Sequence, residues 1–389
     1  MRTLRTLCSG GELFGVGARA AGYTHVDGYE IEPKIAAVAR LNGFDVRAAD
    51  VCAVDYEALP AVDHLHISPS CKNASQANQK GKDDSGEPLP RETAGDLAVA
   101  DASCRAIRAH QGVTFTLENV WGYRSFESFD RIRAALADTG FSYEYWHLNS
   151  ADYGVPQTRK RLILIARRGL WRIQRPHPTH RKGGDMFHAR WRGWYAAIAD
   201  IVHTLPPTKP APWQLARLPK ELTKTIIVHR NDMRSMPTRY ADEPIFTITA
   251  GSFNSSHSPS TMHRAYIVGG GNTQLGQIDS HARPDDAPMF TVSASDGARK
   301  IAAAYLLDGD NARSDTGEPI MRAADEPAMA MRATRTTVHR AHISGQWVRM
   351  TIQALGRFQT VPDSYQGLTS EINGNGVPCD FAEAIMRSL

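Results

Sequence analysis

The 389-residue sequence predicts an α/β fold, a doubly wound and mostly parallel sheet with an inserted, smaller, loop- and strand-rich lobe. Three observations predict it. Residues 1–170 alternate short apolar runs with helical stretches at the spacing of βαβ units. From 175 to 345 the chain turns rich in Pro, His, Thr, Ser and Arg, and long helical patterns vanish. From 346 to 389 helical periodicity returns. The expected division is therefore 1–174, an excursion over 175–345, and a closing segment, 346–389, that rejoins the first domain.

LRTLC (4–8) reads as the first strand, followed by a Gly-rich turn (9–17) and a helix to Ala21. THVDGYEI (24–31) is the second strand, and PKIAAVARLN (33–42) a helix with Pro33 in its first turn. FDVRAADV (44–51) and DHLHIS (63–68) are the third and fourth strands, and a polar loop follows from Pro69 to Arg91. A helix over 95–109 leads to the strand VTFTLEN (113–119). Then come the helix FDRIRAALADTG (129–140) and the strands FSYEYWHLN (141–149) and RLILIAR (161–167). TIQALGRFQ (351–359) and CDFAEAIMRSL (379–389) read as helices. Inside the excursion an approximate repeat, YADEPIFTITA (240–250), PDDAPMFTVSA (284–294) and RAADEPAMAMRA (322–333), suggests turn-and-strand units about 40 residues apart.

Hydrophobic residues make up 42% and charged residues 22%, which excludes wholesale disorder. The net charge of +4 fits a nucleic-acid partner and equally fits none. Locally, 159–168 and 171–192 are dense in Arg, Lys and His. The cysteines (Cys8, Cys52, Cys71, Cys104, Cys379) are scattered, odd in number and without a CxxC pair. That argues against a disulfide framework and against a metal site, and it places the chain in a reduced, cytoplasmic setting. The first residues lack the apolar core of a signal peptide, and no apolar run reaches the ~18 residues of a membrane span.

Sheets of this kind bind ligands beyond the carboxyl ends of their strands, and the polar clusters fall there. LCSGGELFGVG (7–17) lies between a strand and a helix, so its backbone amides can approach a ligand, although its glycines do not match G-x-G-x-x-G. Glu30 ends the second strand, where a carboxylate accepts from ribose hydroxyls, and Asp50 ends the third, where it can face an adenine edge. Cys71 sits in the polar loop SPSCKNAS rather than in an apolar run, which favours a nucleophile over a core thiol. Glu118 and Asn119 end the fifth strand, and a carboxylate there has a partner or a task. In YGVPQTRKR, Gln157 precedes Arg159 and Arg161, which point the same way on an extended segment and suit phosphate or base oxygens, or else form a solvated basic strand.

Taken in order, these motifs resemble the DNA (cytosine, carbon-5) methyltransferase family of bacterial and phage type, a Rossmann-like S-adenosylmethionine-dependent fold. The resemblance rests on the Gly-rich first turn, the loop thiol Cys71, LENV (117–120), QTRKR (157–161) and GNGVP (374–378), with RMTIQALGRFQTVPDSY (349–365) similar to a further motif. It covers 1–170 and 345–389. Two departures stand out. Thr6-Leu7-Cys8 replaces the family's Asp-Leu-Phe, and Gly10-Gly11-Glu12-Leu13 its G-x-G-G, which leaves the cofactor contacts open. Ser70-Cys71-Lys72 replaces Pro-Cys-Gln, freeing the loop backbone and adding a charge that can depress the thiol pKa or meet a phosphate.

The resemblance implies a methyl transfer from S-adenosylmethionine to carbon-5 of a flipped cytosine in a specific double-stranded DNA sequence. Cys71 would attack carbon-6, Glu118 would bind N3 and the exocyclic amine, Arg161 would reach the base oxygen, and Arg159 would brace the loop or a phosphate. Leu7, Gly10, Leu13, Glu30, Ile31, Asp50, Val51, Pro69, Asn375 and Val377 would line the cofactor. Lys72, Ser75, Asn119 and Gln157 would meet DNA. The excursion would be the target-recognition domain. A monomer bound to double-stranded DNA at the nucleoid is expected; whether a cognate restriction endonuclease acts separately beside it is left open. Alternatives are a tRNA cytosine-5 methyltransferase, an inactive DNA-binding relative, and a modified cofactor or another one-carbon group.

Overall fold

The computed structural model describes residues 2–71, 73–74, 92–170, 172–208, 325–328 and 350–389, together with short strands between 226 and 349. The chain divides into two compact units: 1–197 with 327–335 and 352–389, and 198–326 with 336–351.

The first unit is built on a seven-stranded sheet of order β3-β2-β1-β4-β5-β7-β6. Its strands are β1 Arg2–Leu7, β2 Tyr23–Glu30, β3 Val46–Ala48, β4 His64–Ile67, β5 Thr114–Asn119, β6 Phe141–Asn149 and β7 Lys160–Arg168. The first five are parallel, because helices return the chain between them. No α-helix separates β6 from β7, so this pair is antiparallel, and β7 is also antiparallel to β5. The sheet is thus mostly parallel, as expected, with β7, next to the β6 edge, as its one reversed strand.

Helices cover both faces. α3 (Ala94–Ala109) and α4 (Glu127–Asp138) pack Ala106, Ile107, Phe129, Ile132 and Leu136 against Ile67, Phe115, Leu117 and Leu164. On the other face α1 (Leu13–Ala20) and the C-terminal helix join Phe14, Ala18, Phe381 and Ile385 to Leu4, Leu148, Ile163 and Ile165. α2 (Pro33–Leu41) seats Ala36 and Ala39 on Phe44 and Val46. The closing segment forms α5 (Ile352–Phe358), α6 (Ser370–Asn375) and α7 (Cys379–Arg387). α6 falls in a stretch whose Gly and Asn residues mask its helical period. Gly17 allows α1 and α7 to touch, since a Cβ there would collide with the Cys379 carbonyl oxygen.

β5 is buried along its whole length, yet alternates chemistry. Phe115 and Leu117 feed the α3–α4 core. Thr114 and Thr116 hydrogen-bond the rings of His64 and His66, which burial holds well below the usual histidine range, His66 at about 3.

In the second unit, Thr238–Tyr240, Ala282–Pro284 and Met321–Ala323 are short strands. Each ends immediately before or within the start of one expected repeat, and most of the later repeat residues lie outside the described residues.

Candidate active site

The carboxyl ends of β1, β4 and β5 lie side by side, with Leu7 paired to Ile67 and Ile67 to Leu117. The reversed β7 brings its first residues to the same edge, Leu162 opposite Asn119 and Ile163 opposite Glu118. Catalytic-type side chains separated by some 90 residues of sequence therefore converge.

Glu118 is buried. Its Oε2 accepts a 2.7 Å hydrogen bond from Ser68 Oγ, just past β4. Arg161 Nε lies 3.0 Å from Oε1. That contact is an ion pair without hydrogen-bond alignment, so Oε1 keeps an unmet acceptor. Cys71 is half-buried, three residues beyond Ser68 in the loop that leaves β4. Arg159 ties the cluster together. Burial lowers its guanidinium pKa and Arg161 adds to the shift, while Glu118 and Cys71 oppose it, so all three lie within its electrostatic reach.

Several of the expected residues have partners inside the protein. Arg159 is fully buried and donates through Nη1 to the Gly374 carbonyl at 2.9 Å, so it braces the Gly-Asn-Gly turn from inside. Asn119 is also buried. Its amide donates to the Pro69 carbonyl at 2.9 Å and its oxygen accepts from Val120 N–H at 2.8 Å, which makes it a support for the Cys71 loop. Gln157 has no exposed surface, and both amide atoms lack partners. It lies inside the turn that pairs Pro156 and Thr158 with Ala328. Lys72 and Ser75 lie outside the described residues. Ser68 is not legible as a site residue in the sequence, since a serine at a strand end carries no motif of its own.

The first turn leaves an open face at the carboxyl end of β1. Gly10 has φ +55°, and a Cβ there would meet nothing within 4 Å, so its outer face is open. Glu30 bridges the turn to β2, accepting from Gly10 N–H at 2.9 Å and Glu32 N–H at 3.0 Å. Ile31 beside it is 67% exposed, unusual for a large apolar side chain at a strand end. Asp50 is exposed and caps the turn after β3 through Cys52 N–H at 2.9 Å. Desolvation, then Glu30, Cys52 and Asp50, push the Cys8 thiol up to about 12, so the two acids flank one uncharged thiol. Ser9 Oγ in this turn is buried and without a partner. These open and unmet groups fit a ribose, an adenine and a polar tail. Asn375 is exposed at the end of α6. Leu7, Leu13, Val51 and Val377 have buried side chains. Pro69 is buried beneath the loop.

Glu12 explains the altered first motif. It is fully buried at the start of α1 with φ +62°, a strained conformation outside glycine. Its Oε1 accepts from Thr6 Oγ1 and lies 3.0 Å from His25 Nε2. Gly15 and Gly28 make the room, since a Cβ on either would collide with the carboxylate.

The sequence profile of C-5 cytosine-specific DNA methylases matches residues 3–389. The chain belongs to that family. The methylase is 28% identical over 255 residues to Type II methyltransferase M.AquIA of Picosynechococcus, covering 59% of this chain and 98% of that protein. It is 30% identical over 218 residues to Type II methyltransferase M.NgoMIV of Neisseria gonorrhoeae, covering 51% of this chain and 66% of that one. Among solved structures, a Spodoptera frugiperda DNMT2 mutant aligns over 100% of this chain and 99% of its own, with TM-score 0.54 at 13% identity. The Entamoeba histolytica methyltransferase EhMeth aligns over 100% and 97%, with TM-score 0.54 at 10% identity. These two show the shared fold. The methylase is a DNA cytosine methyltransferase. Among the described residues, no cluster of His, Cys, Asp or Glu could hold a metal ion, and no helix is long and apolar enough to cross a membrane.

Proposed function

We propose that the methylase acts on carbon-5 of a cytosine flipped out of a specific double-stranded DNA sequence, with Cys71 as the nucleophile at carbon-6. The carrying observation is the buried Glu118 held by Ser68 and Arg161 at the sheet edge from which the Cys71 loop leaves. S-adenosylmethionine, when bound, supplies an activated methyl group. Glu30 would take the ribose, Asp50 and Ile31 the adenine, and the Gly10 turn the polar tail.

Carbon-5 of cytosine is a weak nucleophile. Addition of the Cys71 thiolate at carbon-6 forms a C–S bond and pushes the ring electrons toward N3. Glu118 holds a proton at N3 and accepts from the exocyclic amine, which needs a carboxyl oxygen with free acceptor capacity such as Oε1. Arg161, fixed against Glu118, donates to the base oxygen. Once carbon-5 carries the new methyl group, loss of its proton restores the ring and the C–S pair returns to Cys71. Asn119 and Ser68 keep the loop and the carboxylate in place throughout.

The 198–326 and 336–351 unit is read as the target-recognition lobe, whose loops would read bases in the major groove. The Type II methyltransferase relatives support a role as a modification enzyme. Expression in a methylation-free host, with modified cytosines mapped genome-wide, tests the reading. Methyl marks at one sequence context are expected, and none with Cys71→Ala; marks that persist with Cys71→Ala would overturn the mechanism.

A further inference from the structure

A short finger leaves the first unit between His180–Arg181 (β8) and Ala189–Arg190 (β9). At its tip Met186 is 91% and Phe187 82% exposed, whereas most other large apolar side chains among the described residues are buried. Such adjacent exposure has a cost in water and calls for a partner.

The tip is rigid by construction. Asp185 Oδ1 accepts from Phe187 N–H at 2.9 Å and His188 N–H at 2.8 Å, and His188 Nδ1 lies 2.8 Å away. Its Oδ2 takes Arg181 Nη1 at 3.1 Å. These donors hold the Asp185 carboxyl well below the usual carboxylate range. Gly183 and Gly184 provide the left-handed residues of the turn, at φ +83° and +70°. The base is equally fixed: Asp152 accepts from Trp191 Nε1 at 2.9 Å and from Thr179 N–H at 3.0 Å.

Asp152 belongs to the turn that ends β6, and Leu148 of β6 pairs with Arg161. The finger is therefore rooted at the sheet edge that carries Glu118 and Arg161. Arg181, Lys182, Arg190 and Arg192 are exposed around its base. An apolar pair on a locked turn, ringed by cations, matches a polyanion with stacked apolar interiors.

We propose that Met186 and Phe187 form a wedge that inserts between base pairs of the duplex while the surrounding arginines and lysine hold its phosphates. The inference rests on the DNA reading above. An unstacked step beside the target lowers the cost of extruding a base.

The test uses the full chain, unmethylated genomic duplex DNA and labelled S-adenosylmethionine. The double variant Met186→Ser/Phe187→Ser is expected to raise KM for DNA about tenfold, the scale of one lost base–aromatic stack. Cofactor affinity and thermal midpoint should stay at wild-type values. Phe187→Trp should keep KM within about twofold of wild type, because an indole stacks as well as a phenyl ring. A double variant with wild-type KM overturns the wedge, and so does a Phe187→Trp protein as impaired as the serine variant. Loss of self-association or vesicle binding without a change in KM would assign the tip to a protein or lipid surface and overturn it too. A wild-type protein that methylates no DNA refutes the underlying reading and the wedge with it.

Discussion

Replacing Glu118 with Gln removes one charge and preserves shape. The side chain keeps room for the Ser68 contact at 2.7 Å but loses its charge opposite Arg161, 3.0 Å away. At an effective dielectric of about 20 and this separation, the gross attraction is about 5 kcal/mol. Desolvation of the two groups, 6% and 14% exposed, offsets much of it. Stranding the Arg161 charge should then lower stability by about 2 kcal/mol. For a unit of this size that is about 4–8 °C in thermal midpoint. Catalysis should suffer more, since an amide cannot relay a proton to and from N3 as a carboxyl group does. Loss of a preorganised transition-state partner costs about 10²–10³-fold in kcat. Single-turnover transfer of labelled methyl to DNA reads the chemical step, and scanning fluorimetry reads the stability. A kcat within threefold of wild type would refute the assignment of Glu118, whatever the midpoint does.

Gly17→Ala should push α1 from α7, because the new Cβ meets the Cys379 carbonyl and the Glu383 N–H, neither of which can move alone. A loss of about 1–3 kcal/mol is expected in urea unfolding, and an unchanged midpoint would contradict the packing. Acid should destabilise the protein early. His64, His66 and His110 are neutral when folded, with His66 at about 3 and His110 at about 4, but take protons when unfolded below 6.5. Stability is therefore lost as pH falls from 6.5 toward 4, by about 1.4 kcal/mol per pH unit for each ring. Urea unfolding across that range checks it, and a flat profile from pH 7 to 5 would contradict it.

The strands are legible because each is a short apolar run closed by polar residues, and β6 and α3 fall almost on their expected bounds. Cys71, Glu118 and Arg161 are legible for the same reason: charge and a thiol at strand ends have no core to join. The direction of a contact is not. Arg159 and Arg161 alternate identically in sequence, yet one is sealed under Gly374 and the other faces Glu118. Asn119 and Glu118 are neighbours with opposite duties, one for the loop and one for the site. Glu12 reads in sequence as a broken glycine motif, whereas its carboxylate fills a socket made by Thr6, Gly15 and, from the next strand, His25 and Gly28. Long-range packing, which local pattern does not encode, makes these choices.

A covalent bond between Cys71 and the target base is the step on which the proposed chemistry turns. Incubation with cofactor and duplex DNA carrying 5-fluorocytosine tests it most directly, because the carbon-5 fluorine cannot leave and the adduct cannot resolve. A protein–DNA band that survives denaturation, with the link mapped to the peptide containing Cys71 and absent in Cys71→Ser, is the predicted result. No surviving band, or a link on any other residue, would contradict it.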